Sequence, residues 1–85
     1  MSAPLKLPST LPQSNDLRAV LAYNLKALRI AKGWSQEYLA NECALDRTYV
    51  SAVERCHWNV SLSNIERFTA ALGVEAWELL KPPVP

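Results

Sequence analysis

Residues 35–55 read SQEYLANECALDRTYVSAVER and contain two short amphipathic patterns with only a brief interruption between them. Ser35 can cap a first helix, because its hydroxyl can accept a hydrogen bond from the free backbone N–H groups that follow. The apolar positions of this helix recur at helical spacing and predict one buried face: Leu39, Ala40 and Cys43. After a short turn, Asp46 can cap a second helix over Arg47–Arg55.

The second helix separates an apolar face from a polar one. Val50 and Val53 lie three residues apart and are predicted to face inward with Leu45. The outer face carries hydrogen-bonding side chains: Arg47, Thr48, Ser51 and Arg55, with Tyr49 at its edge. A helix, a tight turn and a second helix with such an outer face form the arrangement that enters the major groove of DNA. The pattern therefore predicts a double-stranded DNA-binding domain.

Length and composition narrow the classes of protein. A chain of 85 residues is long enough for one small domain. No apolar run approaches the ~20 residues of a membrane span, and no apolar block near the N-terminus resembles a secretion signal, so we expect a cytoplasmic protein. The net charge of +1 is low for a nucleic-acid-binding protein. The basic side chains nevertheless gather in or before the central segment: Lys26, Arg29, Lys32, Arg47 and Arg55.

Cys43 and Cys56 are predicted to remain free thiols. In a helix-turn-helix, Cys56 would lie about 14 Å along the second helix, which is too far for a disulfide. Together with His57 the cysteines supply at most three metal ligands at no familiar spacing, so we expect no metal and no cofactor. His57 has no orienting acid nearby in sequence and no phosphate-binding loop occurs, so no enzymatic activity is expected. RNA binding is not expected either, because the sequence lacks the aromatic platforms and glycine-rich loops that RNA-binding domains use.

The segments on either side of the central one complete the predicted domain. Residues 1–15 contain three prolines and no acidic residue, and are predicted to form a flexible arm. Asn15 or Asp16 can cap a first helix that runs to Lys32 and ends at Gly33. Its predicted apolar stripe is Leu17, Val20, Leu21, Leu25 and Leu28. Trp34 is then expected to fill the core between the first two helices.

A fourth and a fifth helix are predicted after the connector at residues 56–60. The fourth can be capped by Ser61, or by Ser63 in a capping box, and Ser61 is preferred because Leu62 already belongs to the apolar stripe. Gly73 ends this helix, and Val74–Leu80 forms a short fifth one. The inward residues of the fourth helix are Leu62, Ile65, Phe68 and Leu72. No segment alternates as a strand does, so the fold is predicted to be all-α.

From Asp16 to Lys81 the sequence resembles the Xre/Cro-type helix-turn-helix family of phage repressors and bacterial regulators. Residues 45–51 with Glu54 and Arg55 are most similar to small controller proteins of restriction–modification systems. Other blocks that carry the resemblance are Leu28-Arg29, residues 32–36, Leu39-Ala40, Asn59, Ser61-Leu62, residues 71–74 and residues 78–80. The resemblance implies a five-helix, lambda-repressor-like domain over residues 16–81, followed by a short tail at 82–85.

The resemblance also implies the roles of individual side chains. Arg47–Arg55 becomes the recognition helix, and an ion pair between Arg29 and Glu54 ties it to the first helix. The expected base contacts are Arg47, Thr48 and Ser51, of which Arg47 can pair bidentately with guanine. The expected backbone contacts are Gln36, Tyr49, Arg55 and Asn59. For Asn59, capping of the connector is an equal alternative, and the Tyr49 ring can pack while its hydroxyl reaches a phosphate.

Three positions depart from the family pattern. Ala44 stands in the turn where glycine is usual, and a left-handed backbone there would cost about 1 kcal/mol. Cys56 follows Glu-Arg where glycine is common, so the recognition helix can end differently. Trp58 replaces a basic residue of the connector, which removes a phosphate contact. Its ring is expected to pack on the core, with projection toward DNA or a partner as the alternative.

One such domain reads only a few base pairs, which is rarely specific enough in a genome. We therefore expect a homodimer on inverted half-sites about 34 Å apart. Its predicted interface is Val74, Trp77 and Leu79 or Leu80, with Trp77 as anchor. The alternative is that Trp77 only closes the core.

The predicted function is a transcriptional regulator of the controller type, acting on its own promoter, with an antitoxin-like module that neutralises a partner protein as alternative. Glu37 and Asn41 could contact RNA polymerase, as in some relatives.

Overall fold

A computed structural model describes residues 11–83 and contains five helices and no strand within that range. The helices are α1 (Leu17–Ala31), α2 (Gln36–Cys43), α3 (Arg47–Glu54), α4 (Leu62–Leu72) and α5 (Ala76–Leu80). This confirms the predicted all-α, five-helix fold, in which α2 and α3 form the helix-turn-helix. Most of the predicted arm, residues 1–10, and the end of the tail, residues 84–85, lie outside the described residues. No helix between residues 11 and 83 is long and apolar enough to cross a membrane.

The predicted caps begin the first four helices. Ser35 Oγ accepts a hydrogen bond from the Tyr38 amide at 3.0 Å, and the other three caps accept equivalent bonds two or three residues ahead. Those three are Asp16 (3.1 Å), Asp46 (3.0 Å) and Ser61 (3.1 Å). The alternative cap Ser63 is wrong, because that residue lies inside α4. Each cap satisfies a backbone donor that the helix itself cannot pair.

Ala44 and Cys56 both adopt the left-handed conformation that favours glycine, with φ angles of 55° and 62°. At Ala44 this conformation ends α2 and turns the chain into α3 within three residues. After α3, Cys56 N donates to Val53 O at 2.9 Å and His57 N donates to Ala52 O at 3.0 Å. The chain therefore reverses at Cys56 as it would at the usual glycine, and the side chain there costs about 1 kcal/mol.

The core draws on all five helices. Its largest fully buried side chains are Phe68, Leu25, Leu39, Leu79, Val20, Val50 and Val53. Even the five-residue α5 is anchored, because Leu79 is fully buried. Asn24 of α1 adds a polar anchor, since its Nδ2 donates to the carbonyl oxygens of Leu79 and Lys81 at 2.8 Å each. These bonds satisfy carbonyl groups that a helix end leaves unpaired.

Three apolar residues differ from their predicted positions. Leu17 is 57% exposed and Leu62 is 78% exposed, although both continue a buried stripe in sequence. Each is the first residue of its helix, so the stripe extends past the part of the helix that is in contact with its neighbours. Trp34 is half-buried at the edge of the core rather than inside it. The centroid of the Trp34 ring lies 4.8 Å from that of the Tyr38 ring and 5.1 Å from Lys32 Nζ.

Leu79→Ala should lower the free energy of unfolding by about 2–5 kcal/mol, because it removes a fully buried anchor of α5 and leaves a cavity. Leu62→Ala, the same chemical change at an exposed position, should alter it by about 0.5 kcal/mol or less. Urea denaturation followed by circular dichroism measures both values. Equal losses for the two variants would contradict the assignment of Leu79 to the core.

Candidate nucleic-acid interface

The outer face of α3 is available to a ligand, because only its opposite face is used in packing. Val50, Ala52 and Val53 are buried, whereas Arg47 and Thr48 on the first turn are exposed. Ser51 is half-buried one turn further along, and exposed Arg55 donates from Nη1 to its Oγ at 2.9 Å. The four residues that the outer face was predicted to contain therefore form one continuous polar surface.

A buried ion pair holds α3 in place. Arg29 of α1 donates to Glu54 of α3 in a bidentate geometry, from Nε to Oε2 at 2.7 Å and from Nη2 to Oε1 at 2.8 Å. The two side chains are only 3% and 2% exposed. The remaining nitrogen, Nη1, donates to the carbonyl oxygen of Trp34 at 2.7 Å. The guanidinium is thus enclosed by the protein, and Arg29 belongs to the scaffold of the interface.

Gln36 contributes to the same network. Its Nε2 donates to Glu54 Oε1 at 3.0 Å, so this side chain positions the recognition helix instead of extending freely toward a phosphate. The backbone N–H groups of Gln36 and Glu37 open α2 and have no partner within the helix. Together with the positive end of the helix dipole, they offer the backbone donors that an anion binds.

Tyr49 and Trp58 form an aromatic pair beside the first turn of α3. Their ring centroids are 5.7 Å apart at an interplanar angle of 44°. The Tyr49 ring packs against the core, and its hydroxyl accepts a hydrogen bond from Asn64 Nδ2 at 2.9 Å. Trp58 is 49% exposed, so the expectation that it packs on the core is only partly right, since it packs on Tyr49. Exposed Asn59 follows it in the connector.

Arg67 is a residue of this region that the sequence did not point to. Its Nη1 donates to the carbonyl oxygens of Cys43 and Ala44 at 3.3 and 3.4 Å, and so joins α4 to the turn between α2 and α3. Its partners lie 23 and 24 residues away, and no local pattern could reveal them. The Cys43 thiol, 3.6 Å from the Arg67 carbonyl oxygen, is buried, and this burial raises its pKa to about 11. Both cysteines are free, as predicted.

Trp77 presents a second exposed surface, on α5. It is 61% exposed, so the alternative that it closes the core is wrong; Leu79 does so instead, and is therefore not available at the surface. Val74 and Leu80 are half-buried. A groove of about 260 Å³ beside the indole is lined by Asn24, Ala27, Leu28, Glu78 and Lys81. An exposed tryptophan next to a groove is typical of a protein–protein interface.

Known proteins share both the sequence pattern and this geometry. The family model described as helix-turn-helix matches residues 25–76. A hypothetical transcription factor of Neisseria meningitidis serogroup B is 64% identical over 83 residues, which cover 98% of this chain and 78% of that one. The crystal structure of the hypothetical transcription factor NHTF from Neisseria matches with a TM-score of 0.89 and 66% identity, over 93% of this chain and 91% of that one.

Two further relatives are control proteins of restriction–modification systems. Control protein C.BamHI of Bacillus amyloliquefaciens is 46% identical over 68 residues, 79% of this chain and 84% of that one. The controller protein C.Esp1396I, in a crystal structure of its tetramer with its natural 35-base-pair operator, matches with a TM-score of 0.71 and 33% identity. That match covers 78% of this chain and 91% of the other.

Arg29→Met and Glu54→Gln should each lower the free energy of unfolding by about 3–5 kcal/mol, because each leaves the other partner's charge buried and uncompensated. The double variant should lose less than the sum of the two, since no unpaired charge remains. Urea denaturation of all four proteins gives the coupling energy. Arg18→Met, at an exposed arginine of α1, is the control and should have little effect. Additive losses would show that the two side chains do not act as a pair.

Proposed function

Because the chain belongs to the Xre-type helix-turn-helix family of DNA-binding transcriptional regulators, we propose that it is a controller-type regulator that binds an inverted-repeat operator as a homodimer. The observation that carries this proposal is the polar outer face of α3, held at a defined angle by the buried Arg29–Glu54 pair. The 46% identity of this chain to control protein C.BamHI supports the narrower assignment to the controller type.

Each side chain of the interface has a proposed role. Arg47 and Thr48 project from the first turn of α3 and contact base edges, with Arg47 bidentate to guanine O6 and N7. Ser51 contacts a base through its hydroxyl proton, which stays free because Ser51 Oγ is the acceptor in its bond with Arg55. The positioning contacts to phosphates come from four places: the backbone amides of Gln36 and Glu37 at the start of α2, the Tyr49 hydroxyl proton, Arg55 and Asn59.

A homodimer supplies the specificity that one domain lacks. One recognition helix reads a few base pairs, and two helices on half-sites about 34 Å apart read twice as many. The proposed interface consists of Trp77 with Val74 and Leu80 at its margin, since Trp77 is the large apolar side chain that α5 leaves exposed. The structure of C.Esp1396I as a tetramer on its operator is in keeping with such assembly.

The regulator is further proposed to act on its own promoter in the cytoplasm. With no cofactor, occupancy would follow protein concentration, and coupling of dimerisation to binding would make the response steep. Glu37 and Asn41 are exposed on α2 and would be available to contact RNA polymerase when the protein activates transcription.

Arg47→Ala should abolish most of the preference for the operator, because a bidentate arginine–guanine contact is worth about 1–3 kcal/mol of discrimination. A gel-shift titration against the protein's own upstream DNA, with random competitor at two salt concentrations, measures this preference. Arg18→Ala removes one positive charge from α1 and should keep the preference for the operator. Equal preference in wild type and Arg47→Ala would refute the role of Arg47, and no preference in the wild type would refute control of its own promoter.

Trp77→Ala should raise the dimer dissociation constant at least tenfold, because a tryptophan at an interface centre is worth about 2 kcal/mol or more. Sedimentation equilibrium without DNA measures the constant. Leu17→Ala, at another exposed apolar side chain, is the matched control. A wild type that stays monomeric when bound to a single half-site would count against the homodimer itself.

A further inference from the structure

The connector between α3 and α4 doubles back along the recognition helix. Cys56 reverses the chain in the left-handed conformation, and its amide and that of His57 bond to the last turn of α3. Trp58 therefore lies next to Tyr49, the third residue of α3, although it follows the C-terminal end of that helix in sequence. An eight-residue helix is about 12 Å long, and the ring contact brings the Trp58 indole back alongside it instead of beyond its C-terminal end.

Tyr49 provides a fixed support for the indole. Its ring packs against the core and its hydroxyl is held by Asn64 Nδ2 at 2.9 Å, so the face that it offers to Trp58 has little freedom. Trp58 lies against that ring at an angle of 44° and leaves 49% of its own surface exposed. Because fully buried side chains already fill the core, closing the core does not account for the exposed half of the indole.

The exposed half lies beside two residues that we assign to the DNA backbone, namely Tyr49, whose ring it contacts, and Asn59, which follows it in the connector. Arg47 and Thr48, the two residues that precede Tyr49, are exposed on the same turn, and exposed Asn59 follows Trp58. The groups of DNA that suit an exposed indole are the C–H face of a deoxyribose and the methyl group of thymine, and the indole N–H can donate to a phosphate oxygen. An uncharged contact of this kind suits a DNA-binding protein whose net charge is only +1.

We propose that Trp58 is a direct DNA contact, in which the indole, supported by Tyr49, packs against the sugar and base of a nucleotide beside the phosphates assigned to Tyr49 and Asn59. The proposal rests on the function proposed above. It makes Trp58 a residue that adds affinity without neutralising a phosphate. Its contribution should therefore be insensitive to salt, in contrast to that of an arginine or lysine.

The test compares the wild type with Trp58→Ala, Trp58→Phe and Trp58→Arg in titrations of the upstream DNA over a series of salt concentrations. Trp58→Ala should raise the Kd about tenfold, because the apolar area that the indole buries against DNA is lost, with an unchanged salt slope. Trp58→Phe should recover most of the affinity. Trp58→Arg should bind well at low salt, with a slope steeper by about 0.9 for one added phosphate contact. Leu17→Ala is the matched exposed control and should behave as wild type.

A direct measurement separates contact with DNA from a structural role. The signal of Trp58 is obtained as the difference between the emission of the wild type and that of Trp58→Phe, so that Trp77, the proposed dimer anchor, stays in place. Upstream DNA should quench the fluorescence of Trp58 and protect it from acrylamide. If Trp58 only supported Tyr49, its replacement would lower the urea midpoint, while DNA would leave the emission unchanged.

Four results would overturn the proposal. A wild-type Kd for Trp58→Ala, or an emission that DNA does not alter, would remove Trp58 from the interface while leaving the proposed function intact. A Trp58→Ala variant that loses affinity only because it no longer dimerises, as sedimentation equilibrium would show, would make Trp58 a protein contact. If the wild type itself shows no preference for any DNA over competitor, the proposed function fails and this inference fails with it.

Discussion

The bidentate pair between Arg29 and Glu54 is the interaction on which the rest of this structure depends. It joins the end of α1 to the end of α3, and Gln36 and the Trp34 carbonyl add the start of α2 and the turn before it. Burying two charges is costly, and an apolar pair of similar volume could be as stable. What the pair provides is direction, because a guanidinium and a carboxylate bond in one plane whereas apolar side chains tolerate small rotations. A recognition helix needs such a defined angle.

The molecule separates this scaffold from its exposed surfaces. The outer face of α3 is polar and continuous, and the Tyr49–Trp58 pair borders it on the side of α4. Trp77 lies apart from both, on α5, a helix held by Leu79 and Asn24. With a net charge of only +1, the chain depends less on long-range attraction to DNA than a strongly basic protein does, and the close contacts that remain require a rigid support. The network around Glu54 and the bond from Arg67 to the α2–α3 turn supply that rigidity.

Much of the fold was predictable because it is specified locally. Ser35, Asp46 and Ser61 each act on backbone groups two or three residues away, and the spacing of Val50 and Val53 sets one helix face. Periodicity was misleading at Leu17 and Leu62, since it gives the direction of a side chain but not whether a neighbouring helix reaches that far. Local sequence was also insufficient for the role of Gln36. Its position at the start of α2 was recognisable, but its hydrogen bond to Glu54, 18 residues away, was not.

The sequence by itself therefore determined the helices, their caps, the turn between α2 and α3, and which side of α3 is polar, because each depends on residues within about one helical turn. The family resemblance added the Arg29–Glu54 pair. Only the tertiary structure decided that Arg67 and Asn24 bind helix ends far away in sequence, that Leu79 and not Trp77 closes the core, and that Trp58 packs against Tyr49. Those outcomes depend on how distant segments fill the same small volume, which the order of residues along the chain does not reveal.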